Sequence, residues 1–203
     1  MLTIRTGAGS PFGRKVRIGV SVLGLDGKVK IEAASTQDTS DPIRQQNPLG
    51  KVPALLLDDG TALFDSPVIL EYLDHLAGGG RILPKDPKAR FEALRLEALA
   101  DGILDASVLI VYEGRYRAPQ KHEQAWLDLQ AGKVERALAA LEAAPPGLDA
   151  PPNVGQITLA CALGYRDFRF EGHWRKDHPK LVGWLDAFAA RVPAFAATTP
   201  PPS

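Results

Sequence analysis

The hydrophobic period changes part-way along this chain, and that change limits the fold more than any other feature. Through about residue 78, short β-branched runs alternate with stretches spaced for a helix. Beyond "GGGRILPKDP" every apolar pattern has helical spacing. The first part asks for a sheet with helices laid on it, the second for helices packed on helices. The chain therefore reads as two domains, residues 1–78 and 87–203, with 79–86 as the linker.

Within the first domain, "LTIRT" is a short strand and "PFGRKVRIGVSVLGL" a helix with Val16, Val20 and Leu23 on one face. "KVKIEAA" is a second strand, and an irregular segment follows it. "VPALLLDDGTALF" holds two apolar runs about Asp58-Asp59-Gly60, a strong hairpin signal. "SPVILEYLDHLAGGG" is a helix with Ser66 at the cap, Pro67 at its first position and a glycine stop. A strand-helix-strand opening favours a parallel pair, and the hairpin adds an antiparallel edge. That order is the pattern of a thioredoxin-like sheet. Helices are expected over Pro87 to about Tyr112, Gln120 to Ala144, Asn153 to Phe170 and His178 to about Arg191, with "TTPPPS" a frayed tail.

The totals narrow the function. Lys plus Arg and Asp plus Glu are 24 each, so the net charge of zero removes the usual electrostatic reason to expect nucleic acid or an anionic membrane. One cysteine, Cys161, excludes an intrachain disulfide. The opening residues lack a signal-peptide layout, and no apolar run approaches the ~20 residues of a membrane span. A cytoplasmic protein is the default expectation.

Three short stretches could carry chemistry. Ser10-Pro11 starts a helix well on structural grounds alone, but amides at a helix start also attract anions such as a thiolate. Val52-Pro53 precedes a strand, and a cis bond there, rare in general, would leave the Val52 backbone free to pair with a peptide-like ligand. Asp65-Ser66 is either another cap or a second anion site with an acid beside it for an ammonium.

"SPFGRKVR", "NPLGKVPALLLDDG" and "FDSPVILEYLDHL", in that order and spacing, resemble the glutathione transferase family, and the whole length fits. "ALADGILDA" in the first C-terminal helix points to the bacterial members that keep a serine in the first motif. The resemblance implies a thioredoxin-like N-terminal domain joined to an all-helical C-terminal one. It implies that Pro53 is cis, that Val52 pairs with the cysteinyl backbone of glutathione, and that Lys51 and Phe12 lie beside the tripeptide. It places Asp65 and Ser66 at the γ-glutamyl end and makes Ser10 the catalytic residue that stabilises the thiolate. The implied activity is conjugation of glutathione, a co-substrate, to a small electrophile in a cytoplasmic homodimer with a role in detoxification. Phe12, Tyr112 and Tyr116 are candidates for the electrophile pocket. The alternative is a non-enzymatic glutathione-binding or protein-interaction module on the same fold.

Ser10 has enough leverage for that role. A free thiol has a pKa near ~8.5, and lowering it two units needs ~2.7 kcal/mol. A hydrogen bond to a charged group contributes ~1.5–3 kcal/mol and a helix N-terminus ~0.3–1. Dithiol exchange is not expected, because Ser10 and Gly13 stand where a redox Cys-x-x-Cys would be. Cys161 lies in an apolar stripe with Ile157, Ala160, Gly164, Tyr165 and Phe168 and reads as a small core residue. Asn153 and Gln156 can cap that helix reciprocally.

Leu94, Ala98, Asp101, Asp105, Val108 and Tyr112 share a helix face. Two carboxylates one turn apart repel, so they should face a wet groove or a cation. One of them, Asp101, could instead reach the ammonium of a bound γ-glutamyl group. The four histidines are dispersed, so no metal site is expected.

Overall fold

The computed structural model describes residues 1–201. A four-stranded sheet is formed by β1 (Leu2–Thr6), β2 (Val29–Ala33), β3 (Ala54–Leu56) and β4 (Ala62–Leu63), in the order β2-β1-β3-β4. β1 and β2 are parallel, with Ile4 opposite Ile31, while β3 runs antiparallel to both β1 and β4. The Asp58-Asp59-Gly60 turn closes the β3–β4 hairpin. Gly60 adopts φ +88°, which a side chain would resist, and Asp59 accepts from the Thr61 amide at 2.8 Å. The thioredoxin-like sheet is therefore present, with an all-helical region following it.

Helix α1 (Pro11–Val22) crosses from β1 to β2 and buries Val16, Ile18 and Val20. Gly13 lets its first turn touch the sheet, since a Cβ there would overlap the Thr6 side chain. Between β2 and β3 the irregular segment contains one helical turn, α2 (Ile43–Gln46). Helix α3 (Ser66–Leu76) has Asp65 in the extended capping position and Ser66 as its first helical residue, one place earlier than the Ser-Pro pair suggests. Proline is tolerated anywhere in a first turn, so the sequence left that choice open.

The remaining helices are α4 (Pro87–Tyr116), α5 (Gln124–Ala143), α6 (Val154–Arg169), α7 (Pro179–Arg191) and α8 (Pro193–Ala197). Helix α4 continues a turn past the expected end. Nothing in the residue pattern marks α8 beyond Pro193 at its start. Every residue of α6 from Val154 to Tyr165 is buried, so the apolar stripe expected there widens to the full circumference. Asn153 and Gln156 do form the reciprocal cap.

One continuous core runs from Ile4 and Val16 through Leu104 and Ile157 to Phe188. Helix α1 packs against α3 of the first region and α6 of the second, so it belongs to both. The glycine-rich connection is held down: Asp74 of α3 accepts from the amides of Gly80, Arg81 and Ile82 at 2.7, 2.9 and 2.8 Å. The Ile82 carbonyl in turn takes the Val154 amide at 2.9 Å. The start of the terminal segment is tied rather than frayed, because Thr198 is buried and donates to the Ala194 carbonyl at 2.7 Å. Residues 202 and 203 of the same stretch lie outside the described residues.

Candidate active site at the end of the sheet

Strand register brings the three motifs together. Arg5 pairs with Ala54, and Leu55 with Leu63, so Thr6, Pro53 and Asp65 stand in line one step further on. The loop from Gly7 to Ser10, the Val52–Pro53 step and the start of α3 consequently share one end of the sheet.

Ser10 is the N-cap of α1, with extended backbone and a half-buried side chain. Its Oγ accepts from the Gly13 amide at 3.1 Å. A serine hydroxyl can accept and donate at once, so this cap leaves the O–H proton free. Capping the helix and donating to a ligand are thus compatible at Ser10. Helix starts also carry partial positive charge, and no acid sits in the first turn of α1 to offset it.

The Val52–Pro53 bond is cis, as is Phe64–Asp65. The Val52 N–H and C=O have no hydrogen-bond partner among the described residues. Asn47 braces the preceding loop: it is buried, donates to the Lys51 carbonyl at 2.9 Å and accepts from the Leu49 amide at 3.0 Å. The Lys51 side chain is exposed. Asp65 does not use its carboxylate to cap α3, and its side chain is exposed. Ser66 is buried to 2% exposure at the head of the helix. An exposed acid beside unpaired helix-start amides suits a group with an ammonium and a carboxylate on one carbon.

The acids of α4 divide. Asp101 takes a fully buried cation, Lys15 of α1, whose Nζ lies 3.0 and 2.8 Å from its two oxygens and 3.0 Å from Glu97 Oε1. Burial, reinforced by Glu97 and Asp105 and opposed by Lys15, lifts the Asp101 carboxyl to about 6. The cationic partner that the acidic face called for is therefore in the chain. Asp105, one turn on, has no ion pair at contact distance, and it lies within electrostatic reach of Lys51, Asp65 and Lys15. Partial burial raises its carboxyl above the ordinary value, the Lys51 charge opposing that rise. Lys15 escaped sequence reasoning because a lysine in a first helical turn reads as solvated. Its place on the same face as Ile18 and Gly19, on a helix buried nearly all round, was the available signal.

Across from the Ser10 loop, α4 and α6 present a patch of rings and guanidinium groups. Tyr112 and Tyr116 meet edge-to-face at 5.2 Å between ring centroids, 38% and 60% exposed. The Arg115 guanidinium sits 5.5 Å from the Tyr112 ring. On α6, Arg169 lies over Phe168 at 4.0 Å, and its Nη2 would come within 3.1 Å of a Cβ added at Gly9. Phe12 is half-buried in the first turn of α1. Burial raises the Tyr165 hydroxyl, while the nearby Arg169 and Arg115 charges oppose it.

Cys161 is fully buried, and burial pushes its thiol up to about 12. It is a packing residue. Among the described residues, no group of three His, Cys, Asp or Glu side chains could hold a metal ion. No helix among the described residues is long and apolar enough to cross a membrane.

A thioredoxin-like sheet with these three motifs at one end, joined to a helical region, defines the class. The sequence profile described as "Glutathione S-transferase, N-terminal domain" matches residues 7–81, and that described as "Glutathione S-transferase, C-terminal domain" matches 124–187. The chain is 37% identical over 196 residues to the uncharacterized GST-like protein YibF of Escherichia coli K12, covering 95% of each. A glutathione transferase family member from Pseudomonas fluorescens Pf-5 is similar in structure, with 45% identity, TM-score 0.91 and coverage of 99% of this chain and 100% of that one. That crystal structure holds bound glutathione; another, with TM-score 0.88, 45% identity and the same coverage, holds S-(propanoic acid)-glutathione. The chain belongs to the glutathione S-transferase family.

Proposed function

We propose that the protein is a glutathione transferase that binds glutathione as a thiolate and joins it to a small electrophile. The observation that carries this reading is the Ser10 cap, whose Oγ accepts from Gly13 and keeps its own proton to donate at a helix start. Glutathione bound in the Pseudomonas relative supports the choice of ligand.

In this reading residues 1–78 bind the tripeptide and 87–203 form the helical wall, joined by 79–86. The unpaired Val52 backbone holds the cysteinyl residue beside cis-Pro53, and the Ser66 amide and hydroxyl take the γ-glutamyl carboxylate. Asp65 takes the ammonium, with Asp105 across the cleft. Lys51 lies beside the peptide. Ser10 donates to the sulfur, which loses its proton to water and attacks the electrophile between Phe12, Tyr112 and Tyr116. The unit is a cytoplasmic homodimer; exposed Val68 and Phe91, on segments joined by the Glu71–Arg90 pair at 2.6 Å, support such a contact.

Retention on immobilised glutathione followed by a thiol-conjugation assay tests the proposal. Binding with turnover is expected. Binding without turnover across a broad electrophile panel would favour the interaction module, and absence of binding would end both glutathione readings.

A further inference from the structure

The patch facing Gly9 has more positive charge than its structural roles use. Arg115 and Arg169 have no carboxylate within ion-pair distance among the described residues, unlike Arg5, Arg90, Arg117 and Arg175. Arg169 Nε is buried with no hydrogen-bond acceptor. An orphaned guanidinium donor costs free energy unless something occupies it, and buried donors are nearly always satisfied. Phe168 stacks beneath Arg169 and fixes the plane of the fork, while Gly9 admits it close to the backbone. Tyr165, one turn before Arg169, adds a buried phenol near both arginines.

The position of this pair matters as much as its charge. Gly9 precedes Ser10, and adjacent Cα atoms are ~3.8 Å apart, so the fork borders the loop that carries the proposed donor to the sulfur, within roughly 10 Å of it. A planar, bidentate acceptor is what an arginine fork fits best. We infer that the electrophile bears a carboxylate, bound by Arg169 with Arg115 as the outer cation, a few bonds from the carbon that the sulfur attacks. This rests on the glutathione transferase reading and adds the substrate class to it.

An α,β-unsaturated carboxylate meets the geometry. The thiolate sulfur forms a bond to the β-carbon and the carbon–carbon π pair moves to the α-carbon and carboxylate. A proton from water then completes the thioether, with no leaving group. Charge grows on the carboxylate during the addition, where Arg169 meets it.

The test uses S-(2-carboxyethyl)glutathione and its neutral amide, S-(2-carbamoylethyl)glutathione, titrated calorimetrically into the full chain beside plain glutathione. The wild type should bind the acid roughly 10- to 100-fold more tightly than the amide, as a hydrogen-bonded charge pair provides. R169M should bind the two equally, and R169K should keep part of the preference. Equal affinities in the wild type, or an intact preference in R169M, would overturn the inference. Weakened binding of plain glutathione by R169M would assign the arginine to the tripeptide and overturn it as well. Failure of the wild type to bind plain glutathione would instead remove the underlying reading, a separately visible outcome. If R169M does not fold, R115Q serves: a preference reduced roughly threefold supports the inference, and an unchanged one overturns it.

Discussion

At Ser10 the two readings open in the sequence merge, because one oxygen caps the helix while its proton remains available. The substitution Ser10→Ala removes both contributions and separates them by size. Losing an N-cap costs about 1 kcal/mol of stability, whereas losing a donor to a bound thiolate costs about 1.5–3 kcal/mol of preference for the ionised form. The pKa of bound glutathione should therefore rise by about one to two units in S10A, read from the ultraviolet absorbance of the thiolate. Turnover should fall roughly 10- to 100-fold near neutral pH and recover as pH rises past the new pKa, since base then does what the hydroxyl did. A uniform drop at every pH would mean that Ser10 positions glutathione without stabilising its charge. The residue types at this site were legible: Ser10, Val52, Pro53, Asp65 and Ser66 lie in short runs whose local chemistry is distinctive. Their assembly at one end of the sheet was not, because it depends on strand register, which alternation alone leaves open.

At the scale of elements, α1 is held by charges that its own sequence does not announce. Lys15 is buried between Glu97 and Asp101, one cation for two acids, so the cluster is one proton away from balance. Asp101 at about 6 lies above the 3.8 of a free side chain, so the folded protein holds this proton where the unfolded chain has released it. That group's contribution makes stability fall as pH rises from about 4 to about 6 and leaves it level beyond. Lys15→Met removes the only cation and strands two buried carboxylates, a loss of about 3–5 kcal/mol at neutral pH. The deficit should shrink near pH 5, where Asp101 can take a proton, and widen near pH 8; urea titrations at the two values check it. A deficit independent of pH would show that lost packing outweighs lost charge. Of the two acids in this cluster only Asp101 was visible, beside Asp105 on an apolar face; Glu97 carried no such signal. Its cation was not, because Lys15 and Asp101 are 86 residues apart and no periodicity links them.

For the molecule as a whole, the helical region closes back on α1 through its last described turns. Arg14, adjacent to Lys15, donates to the Phe195 carbonyl at 2.6 Å and to Thr198 Oγ1 at 3.3 Å, with its guanidinium 4.1 Å from the Phe195 ring. Phe195 in turn meets Phe188 of α7 edge-to-face at 5.8 Å. Nothing in "FAATTPPPS" signals this return, since the partners are 184 and 181 residues away and the run reads as a tail. Arg14 is mostly buried, and burial lowers its pKa below the ordinary arginine value, so its charge depends on these acceptors. Ending the chain after Val192 would leave that guanidinium facing an emptied groove and strip Phe195 from Phe188. The lost acceptors cost about 1–3 kcal/mol and the lost ring about 1.5–3. In a chain of this size each kcal/mol lowers the midpoint by roughly 2–4 °C, so the truncated protein should melt at least 5 °C lower, to order of magnitude. Arg14 sits one turn after Ser10, so the loosened α1 should also bind glutathione more weakly. Phe195→Ala isolates the ring and should give about half of the melting shift. A truncated chain that melts with the full-length protein would place the brace on α1 wholly in Lys15, Glu97 and Asp101.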